Sequence, residues 1–405
     1  MPWKEQTKMN QKVQFISQYL EDIKTVTQLA LDFGISRKTA YKWIGRYKSE
    51  GLDGLKEMDR RPLLHPNTTP KAIRDKIVDV RIKHPTWGGK KIRSYLERRY
   101  TTLSIPSHST IGSILRKEGF TTRRKRKRDK PPKSSLSYPY NSNDCWSIDF
   151  KGQFRLGNGK YCYPLTLMDN HSRYLLACVA LDSVSGRPVY ESLKKVFSVY
   201  GLPKKIRSDN GIPFSCRNFT GLSQLSAWWV SLGIEIERIR PGHPEENGRL
   251  ERFHRTLKKD VRVGSDFVSQ QRLFDRYRCI YNEERPHSAL NQQCPFDVYC
   301  ASSRRYVGVV PSIYDDSWEV RKIDGGGYIG YKNFKIYIGS HLKGFELGIS
   351  RQSHHISDIY FYKYHIGTFD AENGILSNGV TSKTCKSYRD LPKRSHYFIE
   401  HPLKV

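Results

Sequence analysis

Apolar positions recur along this chain in two rhythms, and the change of rhythm divides it. Over the first 120 residues they fall three and four apart, the spacing that lines one face of a helix. Val13, Ile16 and Leu20, with Phe15 beside them, predict a helix over 9–20, and Leu29, Ala30 and Phe33 predict another over 26–33. Gly34-Ile35-Ser36 then offers a tight turn and an N-cap to a third helix over 37–47, with Ala40, Trp43 and Ile44 turned inward. Helices follow over 71–84 and 90–99, separated by Pro85-Thr86-Trp87-Gly88-Gly89, and a capped helix opens at Ser107. From Asp144 the rhythm shortens. Strands over 145–150, 163–168, 174–181, 205–208 and 234–239 alternate with helices over 188–199, 222–232 and 249–260, an α/β domain with a mixed sheet. Beyond Val307, short strands over 317–323, 328–331, 334–337, 345–349 and 359–362 suit a small β-barrel. Asp324-Gly325-Gly326-Gly327 would make its first hairpin turn and Lys332-Asn333 its second.

The expected fold is therefore multidomain. All-α helix-turn-helix domains occupy 1–60 and 61–120, a linker 121–138, a central α/β core 139–302, a small barrel 303–380 and a tail 381–405. A Gly turn between short helices, followed by a Ser-capped basic helix, matches helix-turn-helix geometry, although an ordinary three-helix bundle shares much of that pattern. In the helix-turn-helix reading Arg37, Lys38, Tyr41, Lys42 and Arg46 face the DNA major groove and its phosphates, and Ser107 and Ser109 open the second reading helix.

Charge strengthens this reading. Lys and Arg number 70 against 40 Asp and Glu, a net of +30, which points to a polyanionic partner. The first 133 residues hold 32 basic and 13 acidic side chains, so a third of the chain carries most of the excess. Its densest run, Arg123-Arg124-Lys125-Arg126-Lys127-Arg128, precedes Pro131-Pro132 and reads as an extended tether that tracks a phosphate backbone. An acidic membrane surface is the weaker partner, because no stretch approaches 18 consecutive apolar residues and the N-terminus lacks a secretory apolar region. Eight scattered cysteines with no C-x-x-C pair fit structural thiols in a reducing, cytoplasmic setting, and exclude a Cys-bearing zinc finger before Cys145. His65, His84 and His108 lack matching ligands and read as surface residues.

Three carboxylates stand out in the middle. Asp149 lies in an apolar strand, where an unpaired carboxylate is costly. Asp209 ends a strand before Asn-Gly, and Glu251 lies in the first turn of a basic helix. Each alone has a structural explanation. Together, in so basic a chain, they read as a cluster for hard cations acting on phosphodiesters.

WSIDF at 146–150, SDNG at 208–211 and ENGRLERFHRTLK at 246–258 resemble the core of retroviral-type integrases and DDE insertion-sequence transposases. YNEERPHSAL at 281–290, with Pro295 and Tyr299, is similar to the segment that closes that core. The resemblance implies an RNase H-like core whose metal ligands map onto Asp149, Asp209 and Glu251, with Mg²⁺ as the ion and Mn²⁺ as a substitute. It also implies a transposase that binds the terminal inverted repeats of a mobile element, cleaves them and joins the 3′ ends to target double-stranded DNA, as a homo-oligomer. Arg255 and Lys258, on the helix of Glu251, would grip DNA phosphates. Two departures matter. Between Asp209 and Glu251 lie 41 residues, more than is usual for the group, and Glu245 would fit the shorter spacing but precedes the helix in a Pro/Gly loop. Helix-turn-helix units also replace the His/Cys zinc domain of retroviral integrases, which favours a transposase. A transposase-derived DNA-binding regulator without catalysis, and an RNase H-like nuclease, remain as rival readings.

Overall fold

The computed structural model of the chain describes residues 7–57, 68–121 and 136–387. The basic run over 123–128 and most of the tail over 381–405 lie outside these residues. The chain divides into two compact units, Met1–Thr69 and Pro70–Val405.

In the first unit, α1 (Lys8–Leu20), α2 (Val26–Asp32) and α3 (Arg37–Glu50) match the predicted helices. Thr25 and Gln28 close a capping box on α2, and the Ser36 hydroxyl accepts the Thr39 N–H to cap α3. Gly34, at φ +62°, makes the turn between them at no steric cost. Phe15, Ile16, Leu29, Ala30, Ala40, Trp43, Ile44 and Leu55 form the core.

The second unit opens with α4 (Lys71–Lys83), α5 (Gly89–Arg99) and α6 (His108–Lys117), packed around a fully buried Trp87. A side chain at Gly89 would lie 2.4 Å from the His108 carbonyl oxygen, so glycine sets the closeness of α5 and α6. His84 is not the surface residue its sequence context suggested: its ring stacks on Trp87 at 3.9 Å, and burial lowers its pKa.

The central sheet comprises β1 (Cys145–Phe150), β2 (Phe154–Arg155), β3 (Tyr161–Asp169), β4 (Leu175–Leu181), β5 (Lys205–Ser208) and β6 (Glu235–Arg238). β3 lies antiparallel between β1 and β4, β2 pairs with the start of β3, and β5 and β6 extend the sheet in parallel from β1. The sheet is mixed, as the pattern required. Residues alternate between its faces. Trp146, Ile148, Leu165, Leu167 and Ile206 pack against α7 (Gly186–Tyr200) and α8 (Gln224–Ser231). Cys162, Met168, Leu175 and Cys178 pack against α9 (Gly248–Asp260) and α10 (Phe267–Cys279). α10 was not foreseen. A short α11 (Pro295–Val298) closes the core.

The C-terminal strands are β7 (Glu319–Lys322), β8 (Tyr328–Tyr331), β9 (Phe334–Tyr337), β10 (Glu346–Arg351), β11 (Ile356–Phe361), β12 (Tyr364–Asp370), β13 (Ile375–Ser377), β14 (Ser382–Thr384) and β15 (Lys386–Ser387). The region is sheet-rich as expected, but no ladder closes it into a barrel among the described residues. A six-stranded sheet ordered β14-β13-β12-β11-β10-β7 and a three-stranded sheet ordered β15-β9-β8 share one core, into which Leu222, Ala227 and Val230 also pack. Lys332 and Asn333, at φ +44° and +63°, make the β8–β9 hairpin turn as expected. Asp324 to Gly327 do turn the chain, yet β7 pairs with β10 instead of β8. A turn fixes where the chain reverses, while burial decides which edge a strand joins.

Candidate active site

Strand alternation settles where Asp149 points. Trp146 and Ile148 face α7, so Ser147 and Asp149 face the opposite side, towards α9. Asp209 follows the last residue of β5, the parallel neighbour of β1, and its carboxylate accepts the Gly211 N–H at 3.1 Å. Glu251 sits in the first turn of α9. Burial, with Asp209 and Glu251 beside it, pushes the Asp149 carboxyl up to about 7. Asp209 and Glu251 therefore lie near enough to Asp149 to oppose its ionisation. As they stand, no three His, Cys, Asp or Glu side chains among the described residues are grouped closely enough to hold a metal ion.

His254, one turn after Glu251, was not singled out by the sequence. The Thr166 hydroxyl donates to the Asp149 carbonyl at 2.9 Å, so the 2.8 Å contact between His254 Nε2 and Thr166 Oγ1 needs its proton on Nε2. Burial and the nearby Lys151 push His254 down to about 4, which keeps it neutral at pH 7. Its Nδ1 lone pair then faces Asp149 Oδ2 at 4.0 Å. Acceptor faces acceptor, and a proton or a cation between them would satisfy both. Hard oxygen donors around a carboxyl this reluctant to ionise alone fit a divalent cation.

Glu245 is differently placed. It lies in a 3₁₀ turn over Pro244–Asn247, exposed, with its carboxylate 2.8 Å from His243 Nδ1, and that hydrogen bond lowers its pKa. Its neighbour Glu246 is buried and tied to Arg240 at 2.7 Å.

Of the basic residues expected to meet DNA, Arg37, Lys38, Tyr41 and Lys42 are exposed on α3. Arg46 is half-buried with its guanidinium 5.2 Å from the Trp43 ring centre, so it covers the core as well as bearing charge. Ser107 caps α6 through the Thr110 N–H at 3.3 Å and touches Ser109 at 2.9 Å, so its hydroxyl has a structural task. Arg255 and Lys258 are exposed on α9. The YNEERPHSAL segment carries no group of the acidic site. Arg285 bonds Asp260 at 3.0 Å and Thr86 at 3.4 Å, while Arg98 grips Asp297 at 2.6 and 2.9 Å. This segment and α11 are the floor on which the second helical unit docks.

A mixed sheet flanked by helices and preceded by helix-turn-helix units is the architecture of integrase-type polynucleotidyl transferases. Family comparison agrees. An integrase core domain matches residues 139–244 and again 232–295, a helix-turn-helix domain matches 11–62, and a homeodomain-like domain matches 39–115. The chain is 26% identical over 63% of its length to the insertion element IS407 uncharacterized 31.7 kDa protein of Burkholderia multivorans, covering 91% of that protein. It is 26% identical over 57% of its length to the insertion element IS476 uncharacterized 39.2 kDa protein of Xanthomonas euvesicatoria, covering 65% of it. Among solved structures, the HTLV-2 integrase catalytic core domain in complex with magnesium is 12% identical, with 40% of this chain and all of that one covered at a TM-score of 0.31. The chain thus carries an integrase core domain behind helix-turn-helix domains and is similar to proteins of insertion elements.

Proposed function

We propose that the chain binds the terminal inverted repeats of its own mobile element, cleaves the ends and joins the 3′ hydroxyls to target DNA, with Asp149, Asp209 and Glu251 as the cation ligands. The observation that supports this is the buried Asp149 carboxyl, with Asp209 and Glu251 near enough to oppose its ionisation, where β1 and β5 end beside α9. Two divalent cations, Mg²⁺ by the hardness of the donors with Mn²⁺ as a substitute, would activate the attacking oxygen and stabilise the leaving one. Asp149 stands on β1 and Asp209 directly follows β5, its parallel neighbour, which fixes their separation more firmly than two loops would. Neutral His254 holds Thr166, and through it the Asp149 backbone, while its free nitrogen adds a further donor beside Asp149. Hydrolysis and strand transfer are both in-line displacements at phosphorus, so one site serves both. Exposed Arg255 and Lys258 on α9 are placed to hold phosphates of the reacting strand, and the exposed side chains of α3 to read the duplex. Pairing two ends calls for a homo-oligomer. Among the described residues no helix is long and apolar enough to cross a membrane.

The test is cleavage of end DNA by purified protein with Mg²⁺. Wild type should cut; Asp149→Asn should bind within a few-fold and not cut. Cutting by Asp149→Asn above about 10% of wild type would remove Asp149 from the site, on the reasoning that losing a metal-binding charge costs orders of magnitude. Binding without any cutting by wild type would instead support the regulator.

A further inference from the structure

Behind the acidic site, on another side of α9, lies an open cavity of about 710 Å³ with an unusual electrostatic account. Six of its lining side chains are Lys or Arg: Lys91, Arg173, Arg207, Arg249, Arg252 and Arg285. Arg207 is answered by Glu237 at 2.7 Å and Arg285 by Asp260 at 3.0 Å. The other four have no carboxylate partner among the described residues. Glu245 and Glu246 reach the cavity edge, but His243 and Arg240 already engage them.

The geometry sharpens the imbalance. Arg173 and Arg249 both donate to the same neutral acceptor, the Asn170 carbonyl, at 3.0 and 2.7 Å. Two guanidinium ions converging on one carbonyl oxygen repel each other, and each keeps further N–H donors free. Arg173 is held there at φ +64°, a left-handed conformation that disfavours a long side chain. Lys91, from α5 of the second helical unit, is half-buried, its side-chain amine has no hydrogen bond or ion pair among the described residues, and burial together with Arg285 pushes that amine down to about 7. Tyr138 lines the cavity, its ring 5.5 Å from the Arg249 guanidinium. Planar donors of this kind, preorganised and lacking an anion, match the oxygens of a phosphate.

We propose that this cavity is a second phosphate site, distinct from the acidic site, which takes a phosphodiester of the bound DNA strand on Arg173, Arg249 and Arg252, with Lys91 behind. The proposal rests on the transposase reading. Arg249 and Arg252 flank Glu251 on one helix, and Lys91 belongs to the second helical unit. A phosphate here joins the DNA-reading unit to the helix that carries the third carboxylate.

The test is equilibrium binding of the full chain to a labelled end duplex without divalent cation, so that cleavage plays no part and failure of the catalytic reading leaves the result untouched. Arg249→Gln should lower the slope of log affinity against log salt by about 0.9, the value for one lost phosphate contact. Arg252→Gln, an exposed position whose change threatens folding least, should do the same. A duplex with a neutral methylphosphonate at the phosphate concerned should reproduce the loss with wild type and add nothing to the variants. Unchanged slopes in both variants would overturn the proposal. So would thermal stabilisation by inorganic phosphate that needs Arg173 and Arg249 while the DNA slopes stay the same, since that pattern describes a site for the free anion.

Discussion

Asp149→Asn should destroy cleavage and, without divalent cation, make the protein more stable. The carboxyl is raised from 3.8 to about 7 by burial and by Asp209 and Glu251. The folded protein therefore holds this proton at pH values where the unfolded chain has released it. Stability from this group is full below about pH 4 and falls as pH rises to about 7, beyond which it is flat. At roughly 1.36 kcal/mol per tenfold change in proton affinity, the ionised form costs at most about 4 kcal/mol. The Asp149 side chain is 26% exposed, and water screens part of that penalty, so about 1–3 kcal/mol is the realistic range. Asparagine keeps the shape and removes the charge. In a unit of this size that amounts to a Tm higher by roughly 1–4 °C near pH 8 with EDTA present, shrinking to nothing near pH 4. Mg²⁺ should raise the wild-type Tm and leave the variant almost unmoved, because only the wild type binds it well. Scanning calorimetry across pH, with and without Mg²⁺, measures all three arms. Equal Tm values near pH 8 without metal, or a less stable variant, would show that Asp149 does not sit among uncompensated carboxylates.

Glu251→Gln should slow single-turnover cleavage by about 10²-fold or more, the scale of a misplaced catalytic group, while Glu245→Gln changes little; the reverse result would move the third carboxylate by six residues. Lys42→Ala should reduce the salt slope of DNA binding by about 0.9. Arg46→Ala should do so and also lower the Tm of the first unit, because it uncovers Trp43; a Tm equal to that of wild type would contradict that packing role. Trp87→Ala should cost the second helical unit about 3–5 kcal/mol by chemical denaturation, as for other large buried aromatics. The half-exposed Arg98–Asp297 pair should couple by less than about 1 kcal/mol in a double-mutant cycle; a larger value would make that pair, and not Trp87, the anchor of the unit.

Much of the fold was legible because it is local. β5, β8 and β9 match their expected bounds, and the strand expected over 145–150 forms with Asp149 in it. α10 escaped notice because its buried side is narrow: Phe274 and Tyr277 are joined there by a polar residue, Gln270, whose Oε1 accepts the Gly264 N–H. The pairing of β7 with β10, which leaves the C-terminal strands as two sheets, depends on a contact no turn sequence encodes. At the acidic site, residue types and spacing pointed to Asp149, Asp209 and Glu251, but not to His254 and Thr166, whose meeting depends on how α9 lies on the sheet. The convergence of Arg173 and Arg249 on Asn170 is likewise a product of tertiary packing, since charge counts cannot tell a solvated arginine from one held without an anion.

The claim that Asp149, Asp209 and Glu251 form one cation site is tested most directly by electron paramagnetic resonance of Mn²⁺ added to the full chain on end DNA. Two ions about 3.5–4 Å apart should give a spin-coupled signal in the wild type. Asp149→Asn, Asp209→Asn and Glu251→Gln should each abolish that coupling, while Glu245→Gln retains it. Wild-type coupling in any of the first three variants, or its loss in Glu245→Gln alone, would contradict the account.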